Sequence, residues 1–66
     1  MSDLANAILE YMQSTKKMEF GIDVDLLNFL DTYGKANVYD ALAELEDAGL
    51  IKLNSRYIHD IVTLLT

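Results

Sequence analysis

The sequence predicts an α+β domain of three helices and a small antiparallel β-sheet, in the order helix, strand, helix, helix, strand, strand. Three observations carry this prediction. Apolar residues recur at helical spacing in three stretches. They alternate with a period of two around Phe20 and again after Leu50. Gly21, Gly34 and Gly49 punctuate the chain between those stretches. With 66 residues there is room for one hydrophobic core, so residues 1–66 are read as a single domain.

Composition narrows the function classes. A hydrophobic content of 52% is enough for folding. A domain this small gains only about 3–5 kcal/mol from its core, so self-association is expected to add stability. There is no cysteine, which excludes disulfides and thiolate metal sites and fits a reducing cytosol. Eleven acids against five Lys and Arg give a net charge of −6. That sign opposes non-specific binding to nucleic acid or anionic membrane, unless a local basic patch outweighs it. No apolar run approaches the ~20 residues of a membrane span, and no basic-then-apolar leader opens the chain. No membrane contact and a cytoplasmic location are therefore expected.

The first helix is expected from about Asp3 to Ser14, with Ser2 as N-cap and Asp3 in the first turn, where the dipole favours an anion. Leu4, Ile8, Tyr11 and Met12 form its core stripe, and Ala5 and Leu9 widen that stripe. Met18, Phe20 and Ile22 then alternate with Glu19 and Gly21, the pattern of a short strand with one buried face. Asp23 or Asp25 is expected to cap a second helix, with Leu26, Leu27, Leu30 and Tyr33 on one side. Gly34 suits a left-handed C-cap there.

After a turn of two or three residues comes the third helix. Val38, Ala41, Leu42, Leu45 and Ala48 make a continuous core stripe at ~100° per residue. Gly49 ends that helix, and Leu50-Ile51 re-enters the core. Beyond it, Asn54-Ser55 suits a two-residue hairpin turn, because Asn tolerates positive φ. That register sets Leu53 opposite Arg56, Lys52 opposite Tyr57 and Ile51 opposite Ile58. Ile58, Ile61, Val62 and Leu65 also fit a helix. The β-branched residues at 58, 61, 62 and 63 favour a hairpin to about His59, then a short helical or extended tail from Asp60.

The element order, with its tight bihelical corner, resembles the winged-helix family over nearly the whole chain. The most specific stretch is Val38, Ala41-Leu42, Leu45, Gly49-Leu50-Ile51, which is similar to the passage from recognition helix to wing. The resemblance implies a DNA-binding transcriptional regulator. It nominates Lys35, Ala36, Asn37, Tyr39, Asp40 and Ala43 for the groove, and Lys52 and Arg56 for phosphates. The expected DNA-contacting set is Lys35, Asn37, Tyr39, Lys52 and Arg56. The family often carries basic residues where this chain has Asp40 and Glu44.

That departure supports a second reading, an acidic adaptor that binds a protein and not DNA. Glu44, Glu46 and Asp47 sit near the negative end of the third helix, where each acid costs about 0.3–1 kcal/mol. They therefore serve solvation, with pairing to Lys52, or a basic partner. On the helical wheel Ala36, Asp40, Ala43 and Asp47 point outward together, with Glu44 beside them. For a homodimer, the candidate face is Ala5, Leu9 and Met12 on the first helix. A catalytic role has no residue set: His59 stands alone, Asp23 and Asp25 lack the rest of a calcium loop, and no phosphate-cradling glycine loop occurs. No cofactor and no metal are expected, and the chain is not read as an enzyme.

Overall fold

The structure is a computed structural model that describes residues 1–56 and 59–66, with positions 55, 56 and 59 described by their backbone only. The elements are α1 (Asp3–Ser14), β1 (Glu19–Gly21), α2 (Ile22–Asp25), α3 (Leu27–Tyr33), α4 (Lys35–Asp47), β2 (Ile51–Arg56) and β3 (His59–Leu64). The chain is α+β, and the three strands form one antiparallel sheet in the order β1-β3-β2.

Ser2 starts α1 as the sequence predicts: its Oγ accepts the Ala5 N–H at 3.1 Å, satisfying one orphan donor of the first turn. The buried face is Ala5, Ile8 and Met12, all fully inaccessible. Tyr11 lies outside this stripe and is exposed, resting edge-on against Phe29 with ring centroids 5.7 Å apart. In the first strand Phe20 is buried as expected, whereas Met18 is 55% exposed. Ile22 is buried too, but as the first residue of α2, because the chain passes from strand to helix without a loop. Neither Asp23 nor Asp25 holds the N-cap position, which is Gly21. Asp25 acts from inside the helix, accepting the Gly21 N–H at 2.8 Å and pairing with the Lys17 ammonium.

The expected second helix is two helices. Leu26, with φ −105° and ψ 16°, sits in the sparsely populated bridge between helical and extended backbone and separates α2 from α3. The break lets both Ile22 and Leu26 reach the core, while Leu27 and Tyr33 stay about half exposed. The expected turn before α4 shrinks to one residue. Gly34 has φ 86° and ψ 155°, backbone that essentially only glycine adopts. Its N–H closes α3 on the Leu30 carbonyl at 2.9 Å, and its carbonyl opens α4 by accepting the Val38 N–H at 3.1 Å.

Val38, Ala41, Leu42 and Leu45 are the buried ridge of α4. The stripe's predicted fifth member, Ala48, is exposed as the C-cap. Gly49, at φ 76°, donates to the Glu46 carbonyl, and Leu50 donates to the Leu45 carbonyl. These two bonds form a Schellman ending, which satisfies the last carbonyls and turns Leu50-Ile51 back to the core.

The hairpin is the main correction. Asn54 and Ser55 are strand residues, pairing with Ile61 and Asp60, and Arg56 pairs with His59. Ile51 opposes Leu64, Lys52 opposes Thr63 and Leu53 opposes Val62. The predicted partners Tyr57 and Ile58 lie outside the described residues, and the tail from Asp60 is strand. Burial explains the choice of register. A turn at Asn54-Ser55 would leave Val62 and Leu64 without a place, whereas the observed pairing buries both on alternate positions of β3.

Acids guard both outer strands. The Leu65 N–H bonds the Leu50 carbonyl, so by alternation the Leu53 N–H faces away from β3. The Glu46 carboxylate accepts that N–H at 2.9 Å, just as Asp25 accepts the Gly21 N–H on β1. Charged groups on edge amides oppose strand addition by another chain. Among the described residues, no helix is long and apolar enough to cross a membrane.

Gly34→Ala should lower stability by about 1–3 kcal/mol, since an L side chain is strained at that φ even with open space around the Cβ. Urea unfolding with an unchanged m-value checks it. Glu46→Ala should promote sheet-edge association with little change in the helical signal, read by light scattering against concentration.

Candidate functional site

The outward side of α4 is where the sequence places both candidate interfaces. Its backbone is held rigidly: the ridge below is buried, Gly34 fixes its start and the Schellman bonds fix its end. Ala36, Asp40, Ala43 and Asp47 are all exposed there, as the helical wheel predicts. Glu44 differs from them. Its carboxylate accepts from the Ser2 N–H at 2.9 Å and from the Ser2 hydroxyl at 2.7 Å. These bonds hold its carboxyl below the usual glutamate range, the hydroxyl contributing most. Glu44 thus ties α4 to the first turn of α1, and Glu46 ties it to β2. Among the described residues, Asp40 and Asp47 carry no such bond.

The candidate DNA-contacting side chains are largely engaged within the fold. Asn37 donates its amide to the Tyr33 carbonyl at 2.8 Å, capping the end of α3. Tyr39 is partly buried and donates its hydroxyl to Asp60 on β3. Burial first, then that hydrogen bond, then the negative charges of Asp60 and Asp23, push the Tyr39 phenol up to about 12. The Lys35 ammonium lies 5.7 Å from the Tyr39 ring centroid, a cation–π contact. Lys52 is exposed on β2, and the Arg56 side chain lies outside the described residues.

Positive charge is dispersed. β1 runs antiparallel to β3, with Glu19 opposite Thr63 and Met18 bonded to Leu64. Lys16 and Lys17 therefore lie beside the C-terminal end of β3, away from the start of β3 at His59. Lys17 is bound to Asp25 and stands over the Phe20 ring. The three residues of the expected dimer face lie at the core of the chain itself. Ala5 and Met12 are fully buried in the chain's own core, and Leu9 is partly buried against it. Among the described residues, no group of three His, Cys, Asp or Glu side chains converges on one point.

A groove of about 310 Å³ opens beside the outward face of α4, where α3 and the start of α1 meet it. Leu4, Tyr33 and Ala41 form its apolar lining, and Ser2, Asn37, Asp40 and Glu44 its polar lining. The sequence did not reveal this groove. Leu4 and Tyr33 read as core residues on their own helical wheels, and only the meeting of three helices leaves them on its wall. Nor could Ser2–Glu44 and Tyr39–Asp60 be seen, because 42 and 21 residues separate the partners.

Two titrations follow. The folded chain holds the Tyr39 proton more tightly than the unfolded chain, where a tyrosine ionises near pH 10. That contribution to stability is complete below about pH 10 and lost as pH rises towards about 12. Ultraviolet titration should show a late-ionising tyrosine that Tyr39→Phe removes. Glu44 has the opposite sign: its contribution is present above the ordinary glutamate value and lost as pH falls through the depressed one. Glu44→Gln should flatten the acid limb of a stability–pH curve measured by urea midpoints.

Comparison with protein-family models, with curated proteins and with solved structures finds no match to this chain.

Proposed function

We propose that the chain is an acidic winged-helix adaptor, which docks a protein partner on the outward face of α4. The observation that carries this reading is the division of labour among the acids of that helix. Glu44 and Glu46 serve internal donors, while Asp40 and Asp47, separated by the small Ala43 and followed along the face from Ala36, point outward unused. Small side chains allow close approach of another chain, and carboxylates select a basic one. Phosphates would be repelled by the same two aspartates.

A DNA-binding transcriptional regulator is the second reading. The strand order β1-β3-β2 and the one-residue corner between α3 and α4 support it, since a tight bihelical corner is one way to present a helix to a groove. Lys35 and Lys52 are then the phosphate contacts. Against it stand Asn37 and Tyr39, both committed to partners in the fold.

A mobility-shift titration on mixed duplex DNA at about 50 mM and 200 mM salt separates the two readings. The adaptor reading expects no shift at high micromolar protein at either salt. A shift at low salt that weakens steeply at high salt would overturn it in favour of the regulator.

A further inference from the structure

We infer that the groove between α1, α3 and α4 is the anchor point for an arginine side chain of a partner protein. The inference rests on the adaptor reading and names the chemistry of its central contact. The carboxylates beside the groove keep acceptor capacity to spare. Both the amide and the hydroxyl hydrogen of Ser2 go to the Glu44 carboxylate. The Asn37 amide group spends one N–H on the Tyr33 carbonyl and keeps its second N–H and its oxygen. The Asp40 carboxylate has no partner among the described residues, and each Glu44 oxygen keeps a free lone pair after binding Ser2. Two carboxylates beside an apolar floor call for a cationic ligand with an aliphatic stem.

Arginine fits this better than lysine. Leu4 and Ala41 would line the methylene stem, as long cationic side chains favour. The planar guanidinium can place two N–H donors on Asp40 while stacking on the Tyr33 ring, which is 47% exposed. A lysine ammonium has no planar face to stack. The Tyr33 ring is itself steadied from behind by Phe29, whose centroid is 6.4 Å away in a stacked arrangement. With about 310 Å³ available, the groove is at the small end of ligand sites, suited to a side chain rather than to a whole cofactor. A net charge of −6 draws a basic segment towards this face and away from nucleic acid.

The test titrates isotope-labelled protein, observed by amide NMR, with a blocked alanine–leucine peptide carrying one central arginine. The matching peptide carries citrulline, which keeps the planar shape but replaces one guanidinium nitrogen with a carbonyl oxygen and so loses the charge and two N–H donors. The arginine peptide should bind about five- to tenfold more tightly, with the largest shifts at Leu4, Asn37, Asp40 and Ala41. Asp40→Asn and Tyr33→Leu should each weaken the arginine peptide several-fold and leave the citrulline peptide unchanged. Equal binding of both peptides overturns the inference, and so do shifts that map elsewhere. Asp47→Asn separates the inference from the reading beneath it, because Asp47 lies on the same helix face outside the groove. If Asp47→Asn weakens binding while Asp40→Asn and Tyr33→Leu do not, the adaptor face stands and the groove is excluded. If no peptide binds at all, both fall.

Discussion

Burial of the aliphatic ridge of α4 is the constraint on which the rest of the structure depends. Val38, Ala41, Leu42 and Leu45 meet Ala5, Ile8 and Met12 of α1 on one side and the sheet residues Ile51, Val62 and Leu64 on the other. Each of the larger side chains contributes about 1.5–3 kcal/mol by leaving water, which is a large share in so small a domain. A helix held this way cannot roll. Its two ends are fixed as well, by glycines whose positive φ no other residue matches without strain. Whatever lies opposite the ridge is therefore presented to solvent in a fixed orientation.

That rigidity gives meaning to the acids of α4. A helix with carboxylates in its last turns is disfavoured by its own dipole. Glu44 and Glu46 offset this by accepting hydrogen bonds from other elements, one from α1 and one from an outer strand. They act as clamps. Asp25 has a similar place at the opposite edge of the sheet, so a protein with a large negative charge uses part of that charge to close its own exposed backbone donors. The remaining acids of the face, Asp40 and Asp47, have no such structural use, and it is their surplus that points outward to a partner.

The same arrangement bears on DNA contact. A groove-binding helix needs its early outward residues free and its surroundings cationic. Here Asn37 ties α3 to α4, Tyr39 ties α4 to β3, and Lys35 lies over the Tyr39 ring. The side chains that a DNA reader would use stabilise the corner and the sheet contact instead. Topology and side-chain use are separable, which is why one scaffold can carry unrelated tasks.

Local rules made several features legible from residues alone. Ser2 caps α1, Gly34 and Gly49 take positive φ, and Val38 through Leu45 bury one ridge and expose the Ala36, Asp40, Ala43 and Asp47 face. Each follows from steric limits or periodicity within a few residues, so the sequence by itself determined them. Competition between distant segments decided the rest. Asn54-Ser55 has the chemistry of a turn, but burying Val62 and Leu64 together outweighs that preference and moves the strand pairing. Leu26 has the pattern of a continuous helix, but burying Ile22 at the start of α2 and Leu26 just after its end breaks it. The Ser2–Glu44 clamp and the groove beside it exist only where α1, α3 and α4 meet. Contacts across 42 residues of chain depend on how whole elements pack, and no local pattern encodes that packing.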